Sequence, residues 1–279
     1  NGLEPILVAR HEPRENLPFP FLAWDAHSVG PWAQILDGAE AIVNLAGKSV
    51  DCIKTPDNCD LILRSRVDST RAIGEALRRV KHLPKVWVQM STAHIYGDPP
   101  SQVCTESSTT GYGLAPFVGR AWEETFLDVL PEGMREVRLR TSFVIGKNGG
   151  ALPSLKRLVR LGLGGKVGAG SQGLSWIHEY DLNELILQSI LQNHYQGVYV
   201  ASAPHPVSQG EFMRELRRCV GMPIGLPAPD WLARLGAHLL FRTDPELILY
   251  GRYVRSERLE GEGFSFRFPK LREALEDLV

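Results

Sequence analysis

Apolar positions along this chain switch between two spacings, and the switching predicts its architecture. Runs over Pro5 to Ala9, Phe19 to Trp24, Ala41 to Gly47 and Val86 to Met90 suit strands buried on both faces. A fifth strand is expected from Val137 to Ile145. Between these runs the apolar residues recur at helical spacing. A short helix is predicted over Trp32 to Leu36, and a long one over Asp60 to Arg79 with Leu61, Val67, Ile73 and Leu77 inward. Others cover Pro116 to Val129 and, through Leu152, Leu155, Leu158, Val159 and Leu163, the stretch after Gly150. Strands that alternate with helices argue for a parallel, doubly wound α/β sheet.

The pattern changes near Ile224. Pro223, Pro227 and Pro229 punctuate a segment, and helices are expected at Trp231 to Leu240 and Pro245 to Tyr250. Glu262 to Phe268 alternates like an edge strand before a helix from Lys270 to Leu278. Residues 1–150 therefore read as a sheet domain, and 151–279 as mostly a smaller substrate lobe, partly interleaved with it.

One stretch interrupts both spacings. Six glycines fall within twelve residues from Gly162 to Gly173, followed by Trp176-Ile177-His178 and Asp181. Glycine this dense loses much entropy on folding and suits backbone that turns sharply or approaches a ligand closely. It reads as a surface loop or, more sharply, as the wall of a binding cleft with Gln172, Trp176 and His178 facing in.

Composition narrows the field. The 279 residues carry 43% hydrophobic and 23% charged side chains, ordinary for a globular protein, and a net charge of −1. Nothing electrostatic argues for nucleic acid or a membrane surface. No apolar run approaches a membrane span, and no signal peptide is visible. Cys52, Cys59, Cys104 and Cys219 lack metal-ligand spacing and are few for a disulfide framework. They read as reduced thiols of a cytoplasmic protein with no metal.

In open α/β sheets, ligands sit at the carboxyl ends of the strands. The candidates are Arg10, Leu45-Ala46-Gly47, Ser91-Thr92 and Ser142. An arginine at the end of an early strand suits the 2′-phosphate of NADP, though it reads equally as a surface residue. Gly47-Lys48-Ser49 is not a phosphate loop, because Ile42 stands where the first glycine is needed. The Ser91-Thr92 hydroxyls suit a substrate oxygen or a helix cap. His94 reads as structural, Glu123-Glu124 as solvent-facing, and Arg66 and Arg140 as anion contacts or core ion pairs.

Three motifs carry a resemblance. Asn44-Leu45-Ala46-Gly47, Ser91-Thr92-Ala93-His94-Ile95-Tyr96-Gly97 and the Trp-Ile-His…Asp pattern at 176 to 181 resemble extended short-chain dehydrogenase/reductases, the sugar-nucleotide epimerase group. More narrowly, Ser65-Arg66…Thr70, the glycine-rich stretch and the tail Gly263-Phe264…Phe266…Phe268-Pro269…Ala274-Leu275 resemble the epimerase-like family known in bacteria as cell-division-inhibitor-related. The resemblance covers essentially the whole chain. It implies a Rossmann-type sheet and an NADP cofactor, with NAD as the alternative. It also implies a small-molecule substrate such as a nucleotide sugar or another carbonyl compound.

Two departures bear on that implication. The family begins with a strand, a Gly-x-x-Gly-x-x-Gly turn and a helix that hold the cofactor pyrophosphate. This chain opens downstream of such a unit, so about 25 residues are expected to precede Asn1; without them cofactor binding would be badly weakened. The family also uses a tyrosine with lysine four residues on, the lysine depressing the phenol pKa. None of the seven tyrosines here has Lys at i+4, and no lysine stands between Lys85 and Lys147. Thr92 matches the catalytic Ser/Thr, and Tyr112 comes closest to the tyrosine, with Tyr96 and His178 as other proton sources. The expectation is an NADP-binding, epimerase- or oxidoreductase-like protein without the dyad. The alternatives are a catalytically inactive cofactor-binding regulator or scaffold and a non-redox sugar-nucleotide binder.

Overall fold

The computed structural model describes residues 2–13, 17–99, 102–237 and 244–279. The chain opens with β1 (Leu7–Ala9) and β2 (Phe21–Ala23), a parallel pair in the register Leu7↔Phe21. A 3₁₀ turn over Pro31–Leu36 replaces the short helix expected there and buries Trp32 and Leu36. Next comes β3 (Ala41–Asn44) and then α1 (Pro56–Leu77). Thr55 caps α1 by accepting the Asn58 N–H, and Pro56 stands at its first position, so it starts four residues before the periodic run. Leu61 is 50% exposed on α1 rather than inward.

β4 (Val86–Thr92) enters the centre of the sheet and stops at a 3₁₀ turn, Ala93–Tyr96. The short β5 (Val103–Cys104) and α2 (Leu114–Val129) follow. The strand expected over Val137 to Ile145 divides in two. β6 (Arg135–Thr141) stays in the main sheet, and β7 (Phe143–Ile145) leaves it. Ser142 is the joint: its N–H and hydroxyl both donate to the Ala201 carbonyl.

After α3 (Leu152–Arg160) and the glycine-rich segment come β8 (Gly173–Leu174) and β9 (Trp176–His178), the latter parallel to β7. α4 (Glu179–Leu191) leads to β10 (Gly197–Ala201), which returns to the main sheet. The sheet order is β10-β6-β4-β3, all parallel. Apart from Val43, these strands bury most of their side chains, as strands covered by helices on both faces must.

β11 (Val207–Ser208) pairs antiparallel with β8 and runs into α5 (Gln209–Val220). The spacing above does not predict α5. Its signal is Ser208 with Glu211 three residues on, where the Ser208 hydroxyl accepts the Glu211 N–H. Then follow α6 (Asp230–Gly236), α7 (Glu246–Leu249), β12 (Tyr253–Val254) beside β5, α8 (Glu257–Gly261) and α9 (Leu271–Leu278). The part of the Trp231 to Leu240 helix beyond 237 lies outside the described residues.

Glu262 to Phe268 forms no strand. Its aromatic residues dock individually: Phe264 and Phe266 join the core under the sheet, and Phe268 stacks on His178 at 4.0 Å. The backbone N–H groups of Arg267 and Phe268 donate to the Asp181 carboxylate at 2.8 and 3.1 Å instead of to a neighbouring strand. Lys156 on α3 likewise donates to the Leu278 carbonyl at 2.8 Å. A second core, distinct from the one under the sheet, gathers Ile145, Leu152, Trp176, Phe212, Leu216, Leu271 and Leu275.

Candidate active site

The carboxyl ends of β3, β4 and β6 lie side by side, with Asn44 opposite Gln89 and Thr92 opposite Thr141. At the end of β3 the buried Asn44 amide donates to Gln89 Oε1 at 3.0 Å, while its Oδ1 accepts the Ala46 N–H at 3.0 Å. That clamp shapes the turn Leu45-Ala46-Gly47. Leu45 stands 64% exposed at the rim. A Cβ on Gly47 would sit 3.1 Å from the Arg66 guanidinium carbon.

Arg66 lies over Trp122 at 5.1 Å and donates to the carbonyls of Lys48 and Ile62 at 3.1 and 2.9 Å. Among the described residues it has no carboxylate within ion-pair distance, and burial lowers its pKa below the usual arginine value. The low-bulk Ala46-Gly47 turn, backed by a cation with no carboxylate partner among the described residues, fits a dinucleotide phosphate chain. Arg10, directly after β1, is exposed.

At the end of β4, the Ser91 hydroxyl donates to Glu123 Oε1 at 2.6 Å. Glu123 does not face solvent. It is 6% exposed, and the Arg140 guanidinium forks onto it through Nε and Nη2 at 2.9 and 2.8 Å. The solvent-facing reading from the sequence fails for Glu123 because its partner, Arg140, stands on β6 and draws it inward. Burial alone would raise the Glu123 carboxyl; the hydrogen bonds and charge of Arg140, with Ser91, overcome it and hold the carboxyl below its ordinary pKa. Arg140 is thus a core ion pair.

Arg140 Nη1 also donates to the Tyr96 hydroxyl at 3.0 Å. Burial pushes the Tyr96 phenol up to about 12 despite that cation. That raised value favours the protonated phenol near neutrality.

Thr92 is half-buried and caps the following 3₁₀ turn, its Oγ1 accepting the His94 N–H at 3.1 Å. The turn ends at Gly97, whose φ of +73° lies in the left-handed region that favours glycine. His94 carries a pKa lowered to about 3, first by burial and then by the charges of Arg252 and Lys54. The sign follows directly. The unfolded imidazole takes up a proton as pH falls below about 6.5, while the folded one does not until about 3. Stability is therefore present above pH 6.5 and drains away on acidification, by about 2 kcal/mol at pH 5. Urea titrations at pH 7 and pH 5 should show that loss, and His94→Gln should flatten it.

Three residues expected to line a cleft have other duties. Trp176 is fully buried, its indole N–H donating to the His205 carbonyl at 3.3 Å. His178 is 3% exposed and caps α4, its Nδ1 accepting the Tyr180 N–H at 3.0 Å. That leaves the proton on Nε2, which lies 3.4 Å from Asp277 without a hydrogen bond. Burial lowers its pKa against the pull of Asp277. Gln172 donates to the carbonyls of Val167 and Ile248, both at 3.1 Å.

Two of the glycines around them, Gly165 and Gly173, admit neighbouring backbone. A Cβ on Gly165 would strike the Leu226 carbonyl, and one on Gly173 would lie 2.6 Å from the Tyr253 nitrogen. Tyr112 is 95% exposed, and its hydroxyl makes no hydrogen bond among the described residues. Its backbone meets Gly97, but its phenol points to solvent rather than toward Thr92. An open basin of about 470 Å³ lies beyond the end of β10, between Val103, Thr105, His205 and Arg255; none of the residues singled out in the sequence lines it.

Residues 7–201 match the NAD dependent epimerase/dehydratase family, and residues 228–278 match a domain of unknown function, DUF1731. The epimerase family protein SDR39U1 homolog, chloroplastic, of Arabidopsis thaliana is 30% identical over 250 residues, covering 89% of this chain and 71% of that protein. The crystal structure of human epimerase family protein SDR39U1, isoform 2, with NADPH superimposes with a TM-score of 0.86 at 26% identity, covering 99% of this chain and 91% of that one. MoeE5 in complex with UDP-glucuronic acid and NAD shares the fold at a TM-score of 0.76 and 18% identity, covering 98% and 89%.

Proposed function

Because this chain belongs to the NAD dependent epimerase/dehydratase family, we propose that it holds NADP along the carboxyl ends of β1, β3 and β4 as an epimerase- or oxidoreductase-like protein without the tyrosine–lysine dyad. The observation that carries the reading is the turn Leu45-Ala46-Gly47, held by Asn44 and backed by Arg66, which has no carboxylate partner among the described residues. NADPH in the human relative supports the same cofactor; NAD is the weaker alternative. When bound, the cofactor supplies or accepts a hydride.

The chain's own residues then divide the work. Leu45 and the backbone of Ala46 and Gly47 pack against the dinucleotide, and Arg10 meets the 2′-phosphate. Thr92 Oγ1 orients a substrate oxygen. Ser91 acts by fixing the end of β4 through Glu123, and Ser142 by fixing the end of β6 against Ala201. Gln172, Trp176 and His178 hold the lobe wall in place.

Residues 1–150 form the cofactor side and 151–279 most of the substrate side, with β10 interleaved. The substrate is a small carbonyl compound or a nucleotide sugar, the latter class seen in MoeE5. No helix among the described residues is long and apolar enough to cross a membrane. The free thiols of all four cysteines support a reducing compartment, which we take to be the cytoplasm.

Arg10→Glu should reverse the cofactor preference, weakening NADPH by about tenfold or more relative to NADH. Titration calorimetry with both nucleotides checks it; an unchanged ratio removes Arg10 from the site. A second reading, a cofactor-binding regulator without turnover, is favoured by the exposed Tyr112 and the high pKa of Tyr96. NADPH oxidation across a panel of carbonyl compounds separates the two. Turnover of any one supports catalysis, whereas tight NADPH binding with none supports the regulator.

A further inference from the structure

Arg252 is the side chain the cofactor reading leaves unexplained. Its backbone is gripped on two sides: its N–H donates to the Gly173 carbonyl at 2.9 Å, and its carbonyl accepts the Ser175 hydroxyl at 3.0 Å. Gly173 and Gly251 make this seam possible, since a side chain on either would strike the opposite backbone. The seam delivers Arg252 to the turn after β4, where Nε donates to the Gly97 carbonyl at 2.8 Å.

That is its one side-chain hydrogen bond among the described residues, which leaves the terminal nitrogens without a protein acceptor. No carboxylate among the described residues lies within ion-pair distance of it. Asp98 is close enough to be felt, but its Oδ1 already accepts the Gly251 N–H at 2.8 Å. Burial lowers the Arg252 pKa to about 10. The residue is half-buried, so its terminal nitrogens are open to water or to an anion.

His94 lies between Thr92 and Gly97 in the same turn, and its ring makes no hydrogen bond among the described residues. The charges of Arg252 and Lys54 both bear on it. The Lys54 ammonium is held by the carbonyls of Val50 and Cys52 in the loop after β3. Arg252 and a ring without a partner among the described residues thus share the turn that begins at Thr92, the hydroxyl that would orient the reacting oxygen, and Lys54 adds a second positive charge felt by that ring.

We propose that Arg252 and His94 form an oxyanion subsite of the substrate, taking a carboxylate or phosphate group on the terminal guanidinium nitrogens with the imidazole as second hydrogen-bond partner. The substrate is therefore an anion whose charged group lies near Thr92. The inference rests on the cofactor reading only for what fills the neighbouring half of the cleft.

The test titrates the full chain, saturated with NADPH so that the dinucleotide site is filled, with inorganic pyrophosphate and with malonate by calorimetry. One of the two should bind wild type. Arg252→Gln should weaken it by about tenfold or more, and Arg252→Lys by less, with NADPH affinity unchanged in both. A preference for pyrophosphate marks a phosphate ligand, and one for malonate a carboxylate. If Arg252→Gln does not fold, His94→Gln takes its place with the same expected direction. Absence of binding by either anion to wild type, or equal binding to the variants, overturns the subsite. Failure of NADPH to bind would instead overturn the cofactor reading, and the same anion titrations on the free protein would still decide this one.

Discussion

Glu123→Gln should lower the stability of the protein by about 3–5 kcal/mol, read as a fall in the urea midpoint at constant slope. The carboxylate lies 6% exposed between Arg140, Ser91 and, at 3.8 Å, Arg138. An amide keeps the shape and removes the charge, so Arg140 is left as an uncompensated cation with an 11% exposed side chain. Arg138 has Glu136 as a second partner and should suffer less. Replacing Glu123 and Arg140 together by apolar residues of similar size should recover much of the loss, because two desolvated charges leave at once. If Glu123→Gln changes the midpoint no more than a surface substitution does, the ion pair is not buried as described.

Gly173→Ala should cost about 3 kcal/mol and damage the site as well. The new methyl group meets main chain, the Arg252 carbonyl carbon and the Tyr253 nitrogen, and main chain has no rotamer by which to retreat. β8 must separate from the segment before β12, and the Arg252 carbonyl loses the Ser175 hydroxyl. A stability loss accompanied by weaker anion binding, with NADPH affinity retained, is the expected pattern. Gly162→Ala is the contrast. Nothing lies within 4 Å of its Cβ position, and its φ of +77° alone predicts about 1 kcal/mol.

These two glycines explain how far a reader of the sequence can go. The alternation of strands and helices was visible because each element carries its own periodicity, and the family signatures are local strings. The glycine-rich stretch was visible as an anomaly but not in its meaning. A missing side chain admits a ligand or another stretch of backbone equally well, and here Leu226, Arg252 and Tyr253 supply backbone. Trp176 and His178 were placed in a cleft for the same reason, whereas β9 buries Trp176 in the second core and stacks His178 on Phe268.

Glu123 was misread because its partner lies 17 residues away on another element. The tail from Glu262 to Phe268 has strand alternation without a strand, since Asp181 takes the backbone donors that a neighbour would have used. Arg252 had no local pattern at all. Its isolation is a property of the assembled seam. His94 could have been found, because it sits two residues past the hydroxyl that the resemblance picks out.

The Asp181 clamp on the tail also bears on how the protein forms on the ribosome. Asp181 and Arg267 are 86 residues apart, and Lys156 and Leu278 are 122 apart. The second core draws on Ile145 and Leu275 alike. The parallel strands up to β10 can assemble while the rest is being made, but this core must wait for residues beyond Phe268. Until then Trp176 and Phe212 have no cover from α9, an interval in which slow, long-range closure competes with aggregation. Nascent chains stalled shortly before residue 267 should accordingly engage chaperones more strongly than chains in which residues 267–279 have also emerged.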